Sequence, residues 1–317
     1  MTSTAKHNSL AIFFLSVFSL FIELALIRWI GTEVSIFAYL QNTLLVTCFI
    51  GLGLGMLKAD LKYQLSFLPA GICFLLIVTC LSFPYTRNAL QNVSLLLSKT
   101  GELTVWNEQL SNSPTEAVLS VALGLAAMAV ILFVVIEVFF PVGALLGQLI
   151  GQAENRSTAY SINLVGSLCG AWSFIACGRL LLGPVSWCVI AVALVLATIA
   201  SRRLSVSRLH LIYFILIISV ASIQPAFSGA VKTYWSPYQK IELYKLTKDL
   251  RPFQYTVLVN NFPFQSIADR TDEMLWQDPR ILYDVPPLFR PGAESALVVG
   301  AGTGNDVAGM LDRKSVV

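Results

Sequence analysis

Residues 9–29 read SLAIFFLSVFSLFIELALIRW, twenty-one positions with one acid, Glu23, and one base, Arg28. A hydrocarbon layer about 30 Å thick is crossed by roughly 20 apolar residues at helical rise, so this stretch is expected to span a bilayer. Lys6 precedes it in the manner of a signal peptide. However, the run is long, has no small-residue cleavage site and is followed at once by a second apolar run, so it is read as retained. Working outward, six further runs have the same character, at about 35–57, 65–84, 116–140, 159–181, 184–200 and 209–227. Seven transmembrane helices are therefore expected. Pro141 interrupts the fourth run, and PVGALLGQLIG (141–151) is either a kinked extension or a re-entrant piece. Gly183-Pro184 marks a tight turn, and the polar stretch 85–115 is a connector suited to the membrane interface.

Composition supports this reading. Of 317 residues 56% are hydrophobic, only 12% are charged and the mean hydropathy is +0.72. A soluble chain carries about 25% charged residues. The first 230 residues hold 19 charges and the last 87 hold 20, so a lipid-embedded part precedes a water-exposed one. The expected organisation is a helical membrane domain over 1–230, a small β-strand domain over 231–270, and the beginning of a Rossmann-like α/β domain over 271–317. The net charge of +3 comes without a basic run, which argues against nucleic acid as a partner. Six cysteines within apolar runs read as packing residues. With His7 and His210 the only histidines, no metal site is expected.

Lys58, Lys62, Arg156, Arg202, Arg203 and Arg208 fall on alternate loops, which the positive-inside rule places in the cytoplasm together with the N-terminus. Seven spans would then put the C-terminal part on the opposite side, so the parity hinges on 141–151. Glu23 and Glu137 sit inside apolar runs, where an acid is costly and usually functional. A pairing of Glu23 with Arg28 and a substrate pathway are both open. The runs GLGLG (51–55) and Gly166-xxx-Gly170 are read as close helix packing.

Beyond residue 230 the period changes. Residues 238–244, 255–259 and 264–267 read as strands of a small antiparallel sheet, with Asn260-Asn261 as a turn. A helix-compatible stretch covers 271–286. Ala296-Leu297-Val298-Val299 reads as a buried parallel strand running into Gly300-Ala301-Gly302-Thr303-Gly304-Asn305-Asp306. Alternate glycines between a strand and a helix permit a tight turn and close approach of backbone N–H groups to a ligand. Asn305 stands where a dinucleotide fingerprint wants its third glycine, favouring an S-adenosylmethionine-type ligand over NAD.

These motifs together resemble the spermidine synthase-like proteins that carry a multi-span membrane domain. Ser236-Pro237-Tyr238-Gln239-Lys240-Ile241 resembles that family's S-x-Y-Q-x-I strand, and VLVNNFPFQ (257–265) its hairpin, followed by Asp272-Glu273. Tyr283-Asp284-Val285-Pro286 and Val298–Val307 continue the likeness, as do Ile22-Glu23-Leu24 with Arg28, and Tyr160-Ser161-Ile162-Asn163 with Gly166 and Gly170. The resemblance implies a membrane-bound transferase using S-adenosylmethionine or its decarboxylated form as substrate, with a polyamine or other amine as acceptor. It implies that Gln239, Gly300, Gly302, Gly304, Asn305 and Asp306 contact the nucleoside. It also implies a bacterial inner membrane with the soluble part cytoplasmic. Soluble members usually carry G-G-G-D-G in this loop; Thr303 occupies the Asp position here, which leaves methyl transfer or an unusual acceptor open. A transporter of amines with a regulatory soluble part is the alternative. No catalytic residue is assigned. A ribose-binding acid is expected about 20 positions past the loop, beyond Val317, and Asp312–Val317 matches the translation of a sequencing adapter. The natural protein is therefore expected to continue after Leu311, and this chain to be inactive alone.

Overall fold

The computed structural model describes residues 3–59, 68–97, 114–202, 206, 208–223, 229–246, 253–268, 295–300 and 302–312. They form two compact units. The first holds the helices up to residue 228 together with Trp235–Tyr238, and the second holds Gly229–Tyr234 and the chain from Gln239 onward.

In the first unit the helices are α1 (Ser3–Glu33), α2 (Ser35–Tyr39), α3 (Gln41–Leu57), α4 (Leu68–Ser82), α5 (Pro84–Leu97), α6 (Pro114–Gly151), α7 (Arg156–Arg179), α8 (Pro184–Ser201) and α9 (Arg208–Ala221). Four of them are long and apolar enough to cross a membrane: His7–Glu33, Thr115–Gly151, Arg156–Arg179 and Pro184–Ser201. A fifth crossing is added if α4 and α5, bent by 89° at their junction, count as one broken span, while Gln41–Leu57 and Arg208–Ala221 are shorter apolar helices. Of the seven spans expected, four among the described residues, or five with the bent pair, have the length and apolarity to cross a membrane.

The bend between α4 and α5 has a local cause. Pro84 has no N–H to continue the ladder but suits the first position of a new helix. The connector expected at the interface accordingly begins as α5, with Thr86 Oγ1 3.0 Å from the Phe83 carbonyl oxygen. Arg87 of α5 reaches the buried Glu33 at 3.7 Å, and Ser94 Oγ accepts the Ile36 N–H at 2.9 Å. Pro141 does not end α6, which runs unbroken to Gly151; 141–151 is the extension rather than a re-entrant piece. At about 1.5 Å per residue the 38-residue helix is roughly 57 Å long, more than a bilayer core requires.

Small residues set the packing of the bundle. Gly51 and Gly55 of α3 face α6, so close that a Cβ on Gly51 would lie 2.8 Å from the Ile136 carbonyl oxygen and one on Gly55 would overlap that of Phe140. Gly143 of α6 returns the contact against Leu52. Gly166 of α7 abuts the Phe13 carbonyl and Ser16 of α1, and Gly170 abuts Val17. Both glycine stripes are therefore helix-packing surfaces. In lipid, where apolar surface gains nothing by leaving the solvent, such close backbone approach is what holds helices together. Asn155 caps α7 by accepting the Thr158 N–H at 3.1 Å.

The second unit contains a four-stranded sheet of order β1-β2-β3-β4: Lys232–Trp235, Lys240–Lys245, Phe253–Val259 and Phe262–Ala268. The last strand pairs are antiparallel, with Leu243 opposite Val257 and Val257 opposite Gln265. Asn260 and Asn261 turn the β3–β4 hairpin at φ of 49° and 70°, a conformation asparagine tolerates better than most residues. The small antiparallel sheet is as expected, with β1 as an additional strand. A final helix, α10 (Asn305–Asp312), follows the glycine loop. The expected buried strand 296–299 is not one. The segment is irregular, with Leu297 90% and Val299 88% exposed, because a parallel strand exists only through its ladder and no described strand pairs with it. The helix expected at 271–286, with Asp272-Glu273 and Tyr283–Pro286, and the tail from 313 lie outside the described residues.

Candidate functional site

The hairpin β3–β4 brings Gln265 and Ser266 to the glycine loop. Gly300, Gly302 and Gly304 all have positive φ, at 73°, 52° and 85°. Alternating left-handed positions tighten the loop and turn its backbone N–H groups in a way side-chain-bearing residues resist. The Thr303 N–H donates to Gln265 Oε1 at 3.0 Å, and the same carboxamide fills the space a Cβ on Gly302 would need. Asn305 is buried and donates through Nδ2 to the Ser266 carbonyl at 2.6 Å. At Gly300 and Gly304 a Cβ would meet nothing within 4 Å. The loop is thus clamped at its middle and open at both ends. Asp306 lies in the first turn of α10, where its charge complements the helix N-terminus, and Thr303 Oγ1 is buried without a hydrogen-bond partner among the described residues.

Five of the six residues expected to contact a nucleoside, Gly300, Gly302, Gly304, Asn305 and Asp306, therefore share one loop and helix start. Gln239 lies in the exposed turn before β2. Beside it Lys240 is buried. Its Nζ lies 3.2 Å from Glu242 and donates to Asn261 Oδ1 at 2.9 Å, while its backbone N–H is held by Asn260 Oδ1 at 3.0 Å. Sequence reasoning did not single out Gln265 as the loop's clamp. Its partner is 38 residues away, and no local pattern marks such a contact.

In the helical unit Arg28 does not pair with Glu23. Its Nη2 donates to the Ser236 carbonyl, and its guanidinium carbon stands 5.7 Å from the ring centroids of both Trp187 and Trp235. These rings are themselves edge-to-face at 5.0 Å. A planar cation between two indoles, with a charge-assisted bond to a carbonyl, fixes the segment Trp235–Tyr238 on the end of the bundle. Arg28→Met is expected to cost about 1.5–3 kcal/mol through the lost bond, seen as a lowered melting temperature in detergent. Arg28→Lys should recover less than half of this, since the ammonium lacks the stacking plane. Combining Arg28→Met with Glu23→Gln should give additive losses; a strongly non-additive double mutant would restore the ion pair.

No family model matches this chain, and no curated protein and no solved structure matches it either.

Proposed function

We propose that the chain belongs to a membrane-bound transferase of spermidine synthase type, using S-adenosylmethionine or its decarboxylated form. The observation that carries this reading is the loop 300–304, with three positive-φ glycines running into a helix N-terminus, open over Gly300 and Gly304. That geometry suits a ligand that must approach the backbone closely. The motif resemblance along the chain supplies the ligand class. Transfer would proceed by attack of a neutral amine nitrogen on the carbon beside the sulfonium. The C–S bond breaks, its electron pair returns sulfur to a neutral thioether, and the amine proton passes to a base. In this reading α1, α3, α4, α6, α7, α8 and α9 form seven spans, the residues from 271 begin a Rossmann-like domain, and the soluble part faces the cytoplasm of a bacterial cell at its inner membrane. The partners are the bilayer and an amine acceptor.

Calorimetry of the full-length protein with S-adenosylhomocysteine and with 5′-methylthioadenosine tests it. The second compound is what remains of the decarboxylated substrate after aminopropyl transfer, and the first is what remains after methyl transfer, so the tighter ligand names the reaction. Failure to bind either would reject the reading. The buried Glu23 favours a second reading, a transporter of amines, and accumulation of a labelled polyamine in vesicles containing the protein would support it.

A further inference from the structure

Glu23 is 1% exposed, about two thirds of the way along α1, and its Oε1 is buried with no hydrogen-bond partner among the described residues. Phe21, Ile22, Ala25 and Leu26 of its own helix, and Leu44 and Cys48 of α3, belong to the apolar core of the bundle. The nearest base in sequence, Arg28, is engaged by Ser236 and two indoles. Cys48 is the thiol within electrostatic reach of Glu23. Of the other helices packed on α1, α6 carries Glu137, α8 the buried Cys188, and α7 the buried Cys177 with Arg156 and Arg179 at its two exposed ends. Among the described residues neither arginine forms an ion pair with Glu23. An ionised carboxylate without a cation in such surroundings is prohibitively costly, and side chains so placed neutralise instead.

The same helix face continues as a polar thread. Ser19 and Ser16 lie one and two turns before Glu23, and both are buried. Ser16 Oγ stands 2.8 Å from Asn163 Oδ1 of α7. A hydroxyl can both accept and donate a proton, and an acid buried inside a span is functional by default.

We propose that Glu23 is an intramembrane proton-binding site that exchanges its proton with water along Ser19, Ser16 and Asn163. The ligand is the proton itself, and the proposal stands independently of the nucleoside reading. The test is infrared spectroscopy of the full chain reconstituted in phosphatidylcholine vesicles. The expected result is the C=O stretching band of a protonated carboxylic acid at neutral pH that is lost in Glu23→Gln. The band should shift on transfer to D2O while the protein stays folded, and Ser16→Ala with Ser19→Ala should slow that shift. If Glu23→Gln does not fold, Glu23→Asp serves, because it keeps an acid and should move the band rather than remove it. Loss of carboxylate intensity rather than of a C=O band in Glu23→Gln at neutral pH would overturn the proposal, since it would mean an unrecognised cation beside Glu23. A protonated band that fails to shift in D2O until the protein unfolds would overturn it as well, by showing an inert acid.

Discussion

Replacing Gly143 with Leu is expected to prevent α3 from packing on α6 and to leave little folded protein. A Cβ at Gly143 would overlap the Leu52 carbonyl oxygen and lie 2.8 Å from the Leu52 Cα. The reciprocal position, Gly55, would meet the Phe140 carbonyl oxygen and lie 2.7 Å from the Ala144 nitrogen. In each case the obstacle is helix backbone, which cannot rotate aside as a side chain can. Overpacking a core that is able to repack costs about 1–3 kcal/mol. Here the two helices must separate along the whole glycine seam, so the loss should exceed that range. Gly53→Leu is the internal control, because a Cβ there meets nothing within 4 Å. It should be neutral or slightly stabilising, given that glycine is worse than alanine in a helix by about 1 kcal/mol. Thermal unfolding in detergent, with recovery of folded protein after extraction, reads both. Equal behaviour of Gly143→Leu and Gly53→Leu would mean that the seam does not hold the bundle.

The seam was legible in the sequence because glycine spacing is a local pattern: GLGLG in one helix and Gly166-xxx-Gly170 in another can only be packing faces or ligand loops, and apolar flanks decide between them. The helices themselves were legible for the same reason, as was the antiparallel hairpin with its Asn-Asn turn. What could not be read was whatever depended on a distant partner. A pairing of Arg28 with Glu23 stayed open on their proximity along the helix, yet the partner of Arg28 is the Ser236 carbonyl, 208 residues away. Residues 296–299 have the composition of a buried strand, but composition does not supply the neighbouring strands that would bury it, and Leu297 and Val299 stand exposed. Pro141 signals a break, whereas α6 continues through it. Proline removes one hydrogen bond, and in a bundle neighbouring helices can compensate for that loss. The glycine loop falls between these cases: its backbone conformation was implied by its glycines, and its clamp by Gln265 was not.

That clamp gives the second large effect. In the full-length protein, Gly302→Val is expected to abolish binding of S-adenosylhomocysteine while leaving both the helical bundle and the sheet folded. Gly302 sits at φ 52°, and holding a β-branched residue in the left-handed region costs about 1–3 kcal/mol, equivalent to roughly 5- to 150-fold in affinity if binding requires that conformation. The valine would also drive the Gln265 carboxamide from its place, breaking its bond to the Thr303 N–H and adding about 1 kcal/mol. Three companions separate these contributions. Gly304→Ala introduces the left-handed strain at φ 85° with no neighbour to disturb, and should weaken binding about tenfold. Gln265→Leu removes the acceptor for Thr303 without straining the loop and should cost about fivefold, whereas Gln265→Glu keeps an acceptor at the same reach and should bind nearly as the parent does. Calorimetry against S-adenosylhomocysteine ranks the four variants, and a melting curve of each separates lost affinity from lost fold. Parent affinity in Gly302→Val, with an unchanged melting curve, would mean that the glycines serve the turn alone and that no nucleoside is held there.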